Sequence, residues 1–399
     1  MNATAVGTPQ PAARNVAIDA YRGFVMLLMM AEVLEFAHVA RSFPGNPLWQ
    51  FLGTQQSHVQ WVGMSLHDPI QPGFTFLAGV SLPYSLASRK NKGESFLRML
   101  FHVLWRSLVL VALGIFLRSA GQSITYFTFE DTLTQIGLGY TFAFLIAFLK
   151  PRWQWLALAA ILFGYWLAFA LYPAPGPGFP WASVGVAPDW YQHLLNGFAA
   201  HWNKNSNLGW AFDTWFLNLF PRTAPFLDNA GGYATLSFIP TLGTMLLGLI
   251  AGRWYRESAP RIPFRRLLLA GAILCSAALV LHFAGICPIV KRIWTPSWTL
   301  FSGGVCIFFL AAFSWVVDVK QQRRLAFPLV VVGMNSIAAY LIASRCNDFV
   351  EGSLRTHLGA RLLGIFGPPV EPVVLGSFTL LTYWLILYWM YRKRIFIRI

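Results

Sequence analysis

The stretch HVQWVGMSLHDPIQPGFTFLAGVSLPYS, from His58 to Ser85, sets a titratable cluster against a run apolar enough to enter a bilayer. Its first half holds His58, Trp61, His67 and Asp68. An imidazole with an ordinary pKa near 6.5 can accept a proton at neutral pH, and a nearby carboxylate can orient or charge-balance the ring. His58 is therefore a candidate general base. It could instead attack an activated acyl group and hold it transiently. Two plainer readings stand beside these. A lone histidine is more often structural, and Asp68 before Pro69 also fits an ordinary helix start, with Asp as N-cap and Pro at the first helical position.

A few charged residues lie within the apolar segments, among them Asp19, Arg22, Glu32, Glu35 and Arg106. Charged groups in a membrane are costly and are usually functional or paired. Asp19 and Arg22 stand one helical turn apart and can pair with each other. Glu32 and Glu35 share that spacing but repel, so they need a cation, a hydrogen-bonded partner or one raised pKa.

These residues must be positioned by helices in lipid. The chain has 399 residues, is 56% hydrophobic and 16% aromatic, and is only 11% charged, against about 25% charged in a soluble domain. A helix needs about 20 apolar residues to cross roughly 30 Å of hydrocarbon. Ten windows near that length carry little charge: Val16–Ala40, Ile70–Ala87, Leu97–Leu117, Leu133–Leu149, Trp153–Tyr172, Ala234–Gly252, Leu267–Ile286, Ser297–Val317, Leu325–Ser344 and Val373–Tyr391. The expectation is an all-α polytopic membrane protein of about ten transmembrane helices. Residues 1–15 read as a disordered cytoplasmic N-terminus without a signal-peptide pattern, and 16–399 as a single transmembrane domain.

The net charge of +15 does not mark a nucleic-acid partner, because the basic residues fall in alternate loops. Nineteen of the 30 Lys and Arg, including Arg89, Lys90, Arg253, Arg256, Arg323 and Arg324, fall on one side of the expected membrane. The positive-inside rule then places both termini in the cytoplasm, as an even helix count requires. Three longer segments, 38–69, 173–233 and 345–372, fall outside. The second is rich in tryptophan and tyrosine, which suits an interfacial belt or a lid that stacks on sugar rings. The four cysteines have no metal-ligand spacing. Cys287 and Cys346 could pair across the outer face, although buried thiols are the commoner outcome.

His58-x-x-Trp61-x-Gly63, then Asp68, Pro72, Phe74, Phe76 and Gly79, resembles the signature of the heparan-alpha-glucosaminide N-acetyltransferase family and its bacterial relatives, which are transmembrane acyltransferases. Further stretches follow in order. IDAYRG at Ile18–Gly23 is similar to the family's opening motif, and LTQIGLGY at Leu133–Tyr140 resembles a Leu-Gln-Arg-Ile segment, with Gln135 in place of its arginine. Asn207, Leu208 and Asp213 match an outer-loop pattern, and KRIWTPSW at Lys291–Trp298 resembles a Lys-x-x-Trp segment. VVGMNSIAAYL and YRKRIFIRI fit the closing helices. Where the family carries an asparagine late in its first helix, this chain reads MMAEVLEF, with Glu32 and Glu35.

The resemblance implies acetyl transfer from cytosolic acetyl-CoA to an amino sugar or related glycan on the far side of a membrane, here a bacterial cytoplasmic (inner) membrane. It makes His58 and Asp68 the catalytic candidates. Trp61, Glu32, Asn207, Asp213, Lys291, Trp294, Ser297, Asn335 and Ser336 become candidates for binding substrate or acyl donor. The donor carries phosphates, so Arg89, Lys90, Arg253, Arg256, Arg323 and Arg324 are candidate contacts, although the positive-inside rule explains the same residues. Asn335 and Ser336 could equally serve interhelical hydrogen bonds. No metal is expected, and a homodimer is. The rival reading is a secondary transporter or proton-coupled flippase that uses Glu32, Glu35 and the outer histidines; it calls for inverted repeats and broken helices.

Overall fold

The computed structural model describes residues 15–397, so Arg14, Arg398 and nearly all of the segment expected to be disordered lie outside the described residues. The described chain is helical, with one isolated antiparallel bridge between Val62 and Val290. Fifteen α-helices follow in order. They are α1 Val16–Met30, α2 Phe36–Ser42, α3 Pro47–Gln56, α4 Ile70–Asn91, α5 Phe96–Ser119, α6 Thr132–Ala147, α7 Pro151–Leu171, α8 Leu208–Phe216, α9 Phe238–Glu257, α10 Phe264–Phe283, α11 Pro296–Ser314, α12 Arg323–Gly333, α13 Ser336–Arg345, α14 Asn347–Leu363 and α15 Glu371–Arg392.

Every one of the ten apolar windows falls on helix. Among the described residues seven runs are long and apolar enough to cross a membrane, or eight if the α12–α13 pair, bent by 63°, is one span. Two windows do not meet that test. The 22 residues of α4 include Gln71, Ser81 and Ser88, and α6 has only 16 residues. Both pack against α9, whose apolar window is 83% buried, while the windows of α5 and α10 are 17% buried and present apolar side chains outward. Polarity is tolerated in α4 because most of its surface is buried against protein, whereas α6 is apolar but short.

Small residues bring the central helices together. A Cβ on Gly79 would lie 2.0 Å from the Met245 carbonyl oxygen, and one on Gly248 would lie 2.0 Å from that of Phe76. The GLIAG run of α9 is thus the surface on which α4 lies, as small-xxx-small spacing permits. Around this contact the main core gathers Tyr21, Phe76, Val80, Tyr140, Phe144, Leu246 and Leu310.

Two helices break where function was suspected. After α1 a 3-10 turn, Ala31–Leu34, runs into Glu35, whose left-handed φ of 46° turns the chain into α2. Glu32 and Glu35 therefore do not share one regular helical face. Each finds a histidine: Glu32 Oε1 is 2.8 Å from His67 Nε2, and Glu35 Oε2 is 3.8 Å from His38 Nδ1. The second break, at Met334–Asn335, is tied to the C-terminal tail. Asn335 Nδ2 donates to the Ile395 carbonyl (2.7 Å), and its Oδ1 accepts from the Ile397 amide (3.0 Å). The cysteines are free thiols, Cys287 and Cys346 included.

Candidate active site

The loop between α3 and α4 delivers His58 and Asp68, and the loop between α10 and α11 delivers Lys291. The Val62–Val290 bridge and a hydrogen bond from the Gly63 amide to the Ile289 carbonyl (3.1 Å) clip the two loops together. Gly63 has φ +110°, which side-chain-bearing residues rarely adopt. Trp61 is 1% exposed; its indole N–H donates to the Trp202 carbonyl at 3.0 Å and its edge meets Trp190. The aromatic segment 173–233 thus seats the His58 loop from one side.

Asp68 does not cap α4, which begins without a side-chain cap after Pro69. Its carboxylate, 0% exposed, is instead the hub of the site. Oδ2 accepts from the Ser65 amide (2.9 Å), the Ser65 hydroxyl (3.0 Å) and, more weakly, the Val59 amide (3.5 Å). Oδ1 lies 2.8 Å from His58 Nδ1 and 3.2 Å from Lys291 Nζ, and that ammonium is 3.0 Å from His58 Nδ1. The side chain of His58 keeps 36% of its surface open.

The charges in this cluster constrain one another. Burial would raise the Asp68 carboxyl, but the hydrogen bond from His58, the Lys291 ammonium and the Ser65 amide outweigh it and hold the group well below the usual carboxylate range. Burial pushes Lys291 down to about 8 against the pull of Asp68. Burial also lowers His58, with the Lys291 charge adding to it and the hydrogen bond to Asp68 opposing. These influences favour an ionised Asp68, a cationic Lys291 and a neutral His58. Nδ1 faces both an acceptor, Asp68 Oδ1, and a donor, the Lys291 ammonium; in the tautomer that gives Nδ1–H to the carboxylate, Nε2 carries the open lone pair.

His58, Lys291, Glu32 and His67 line a cavity of about 470 Å³, with Phe74, Glu130, Thr132, Tyr233 and Tyr340 among its other walls. A second cavity of about 380 Å³ shares Phe74, Thr132 and Tyr340 and extends among the helices to Arg22, Arg106 and Ser336.

The other residues singled out from the sequence scatter. Trp294 and Ser297 are buried and line neither cavity; the indole of Trp294 donates to Thr244 (3.1 Å) and Ser297 to the Cys287 carbonyl (2.6 Å). Asn207 caps α8 through the Trp210 amide, and Asp213 accepts from the Thr235 amide at 2.8 Å. Burial raises Asp213 to about 6. None of the six arginines and lysines proposed for donor phosphates lines either cavity. Arg89 pairs with Glu94 (2.7 Å), Arg256 donates to the Pro83 carbonyl (2.9 Å), Lys90 lies 5.0 Å from the Phe148 ring centre, Arg253 reaches the Ala147 carbonyl, and Arg323 and Arg324 open α12.

Two further acids, Glu130 and Asp131, precede α6 and line the same cavity as His58. Asp131 pairs with Arg118 at 2.7 Å, whereas Glu130 accepts from Asn229 Nδ2 at 2.6 Å, and burial raises it to about 7. Their signal in the sequence is the acidic pair itself, two of only 15 acids in a basic chain.

Fold and site together define an integral, multi-pass helical membrane protein with a His–Asp–Lys cluster whose His58 and Lys291 line a cavity. No family model matches the chain. It is 26% identical over 365 residues to heparan-alpha-glucosaminide N-acetyltransferase of Homo sapiens, covering 81% of this chain and 52% of the human protein. It is 24% identical over 363 residues to the Mus musculus protein of the same name, with the same coverage. The chain spans about half the length of the curated relatives it matches. The similarity supports that family at a distant level.

Proposed function

We propose that the protein is a transmembrane acyltransferase that moves an acetyl group from cytosolic acetyl-CoA to an amino sugar or related glycan on the extracytoplasmic side. The observation that carries this reading is the position of the neutral His58, backed by Asp68 and Lys291, on a cavity that adjoins a second one running between the helices. Such a pair of cavities can hold the pantetheine arm, whose parent molecule cannot cross the hydrocarbon freely. The similarity to two N-acetyltransferases over most of the chain supports the same reaction class.

Acetyl-CoA supplies the activated acyl carbon as a thioester. His58 Nε2 takes a proton from the acceptor nitrogen as that nitrogen bonds to the acyl carbon; the C–S bond breaks, and the proton passes to the departing thiolate. An amine and a thioester thus become an amide and a thiol, with His58 returned to its neutral form. Asp68 orients the ring and stabilises its transient positive charge. The shape of the site equally admits His58 as a transient acetyl carrier. In the inner cavity Arg22 and Arg106 supply cationic walls and Ser336 a hydroxyl.

A transporter remains the second reading because α1 and the α12–α13 pair are both broken helices, a feature of transporter binding sites. That reading would use the outer histidines, His58 among them, as proton carriers, and it assigns no role to the buried ammonium of Lys291. Purified protein in detergent separates the two. An acyltransferase is stabilised against heat by acetyl-CoA and consumes it when amino sugars are screened as acceptors. A transporter does neither.

A further inference from the structure

A histidine bonded to a buried carboxylate ordinarily gains affinity for a proton, because imidazolium and carboxylate form an ion pair. Such a residue would be half spent as a base at neutral pH. In this molecule a second cation occupies the same carboxylate. Oδ2 of Asp68 is taken by Ser65 and Val59, which leaves Oδ1 to be shared by His58 Nδ1 at 2.8 Å and Lys291 Nζ at 3.2 Å. Lys291 is 5% exposed, and its ion pair is with Asp68.

The backbone holds Lys291 there. Val290 is bridged to Val62, and Trp294, with a left-handed φ of 48°, donates its amide to the Lys291 carbonyl at 2.8 Å. A non-glycine residue in that conformation persists only where its surroundings impose it. The other charged groups around His58 do not replace this ammonium. His67 lies 4.6 Å away ring to ring but is bound to Glu32. Arg292 reaches the Val59 and Gly231 carbonyls and lies over Tyr233.

We propose that Lys291 is a positioning residue: its ammonium balances Asp68, so that His58 stays unprotonated with Nδ1–H donated to the carboxylate and Nε2 open to the acceptor. A second positive charge 3.0 Å from Nδ1 makes imidazolium costly; with Nδ1–H aimed at the carboxylate, the ammonium has Asp68 Oδ1, not Nδ1, as its acceptor. Lys291 thereby converts a proton-holding pair into a base that releases its proton. This inference deepens the acyltransferase reading and rests on it for its catalytic meaning, but not for its chemistry.

The test is a titration of ¹⁵N-histidine-labelled protein by NMR in detergent, with His58 assigned by difference from His58→Asn. In the parent at pH 7 the expected species is neutral, with the proton on Nδ1; a proton on Nε2 would overturn the proposal without any variant of Lys291. In Lys291→Met the His58 titration should rise by about one pH unit or more, and in Lys291→Arg it should stay near the parent value. The acid limb of kcat/KM should move up with it in Lys291→Met, and most of the loss should be recovered at pH 8.5. An unmoved His58 titration in folded Lys291→Met, or a loss of the same factor at every pH, contradicts the role. A parent protein that transfers no acetyl group would sink the function proposed above, while the NMR titration would still judge Lys291.

Discussion

At the scale of single residues, the site depends on how buried charges are compensated. Asp68 is fully buried and serves Ser65, His58 and Lys291 at once. Asp68→Asn leaves the Lys291 ammonium buried without its counter-ion, so it should cost roughly 3–5 kcal/mol of stability, well above the ~1 kcal/mol of a lost helix cap. A melting curve of the purified variant checks this. The lowered His58 titration sets the pH profile: kcat/KM should fall on the acid side only below the ordinary imidazole value of about 6.5. A limb centred above 7 would mean that the ring is held as imidazolium. Glu130 gives a prediction of opposite sign. Its carboxyl is raised to about 7 in the folded protein, whereas an unfolded glutamate loses its proton near 4.3. Between those values the folded state binds more protons, so this group costs stability as pH rises. Glu130→Gln should therefore melt higher than the parent at pH 8, with the gain shrinking at pH 5. His58 and Asp68 were legible in the sequence because an imidazole and a carboxylate stood together at the edge of an apolar run, and the family resemblance added Lys291. Glu130 stood out only as half of an acidic pair; its place on the cavity depends on Asn229, 99 positions away.

At the scale of elements, apolar windows located the helices but not their interruptions. The break at Glu35 depends on a left-handed backbone angle, and the break at Asn335 depends on the tail that it anchors. No residue type marks the first break, whereas Gly333, Asn335 and Ser336 at the second are ordinary helix-end residues. The bridge between Val62 and Val290 is likewise invisible locally, since each strand partner is a single residue in a loop. The GLIAG spacing announced a close helix contact, and the partner helix, α4, emerged only in three dimensions. Gly248→Val should destabilise by about 1–3 kcal/mol or more, because its Cβ would stand 2.0 Å from a backbone oxygen that cannot move alone. Gly63→Ala has open space around it but an adverse φ. It should loosen the clip between the two site loops and lower kcat/KM more than it lowers the melting temperature. Equal activity in that variant would show that the clip does not position Lys291.

At the scale of the whole molecule, the alternation of basic loops predicts that both termini are cytoplasmic and that the 173–233 segment is extracytoplasmic. A cysteine at exposed Ser183 should be modified by an impermeant reagent from outside, and one at Asn91 spared; the reverse pattern would overturn the topology. A large polytopic architecture was legible because composition alone rules out water as the main solvent. The internal cavities were not, since they form between helices far apart in sequence. The most direct measurement of the central claim uses proteoliposomes of defined orientation, with labelled acetyl-CoA on the face opposite His58 and glucosamine on the His58 side. The parent should acetylate the sugar without mixing the two compartments. His58→Ala should bind acetyl-CoA as tightly but transfer about 10²–10⁴ times more slowly. A His58→Ala protein that binds the donor and transfers acetyl at the parent rate would contradict the account.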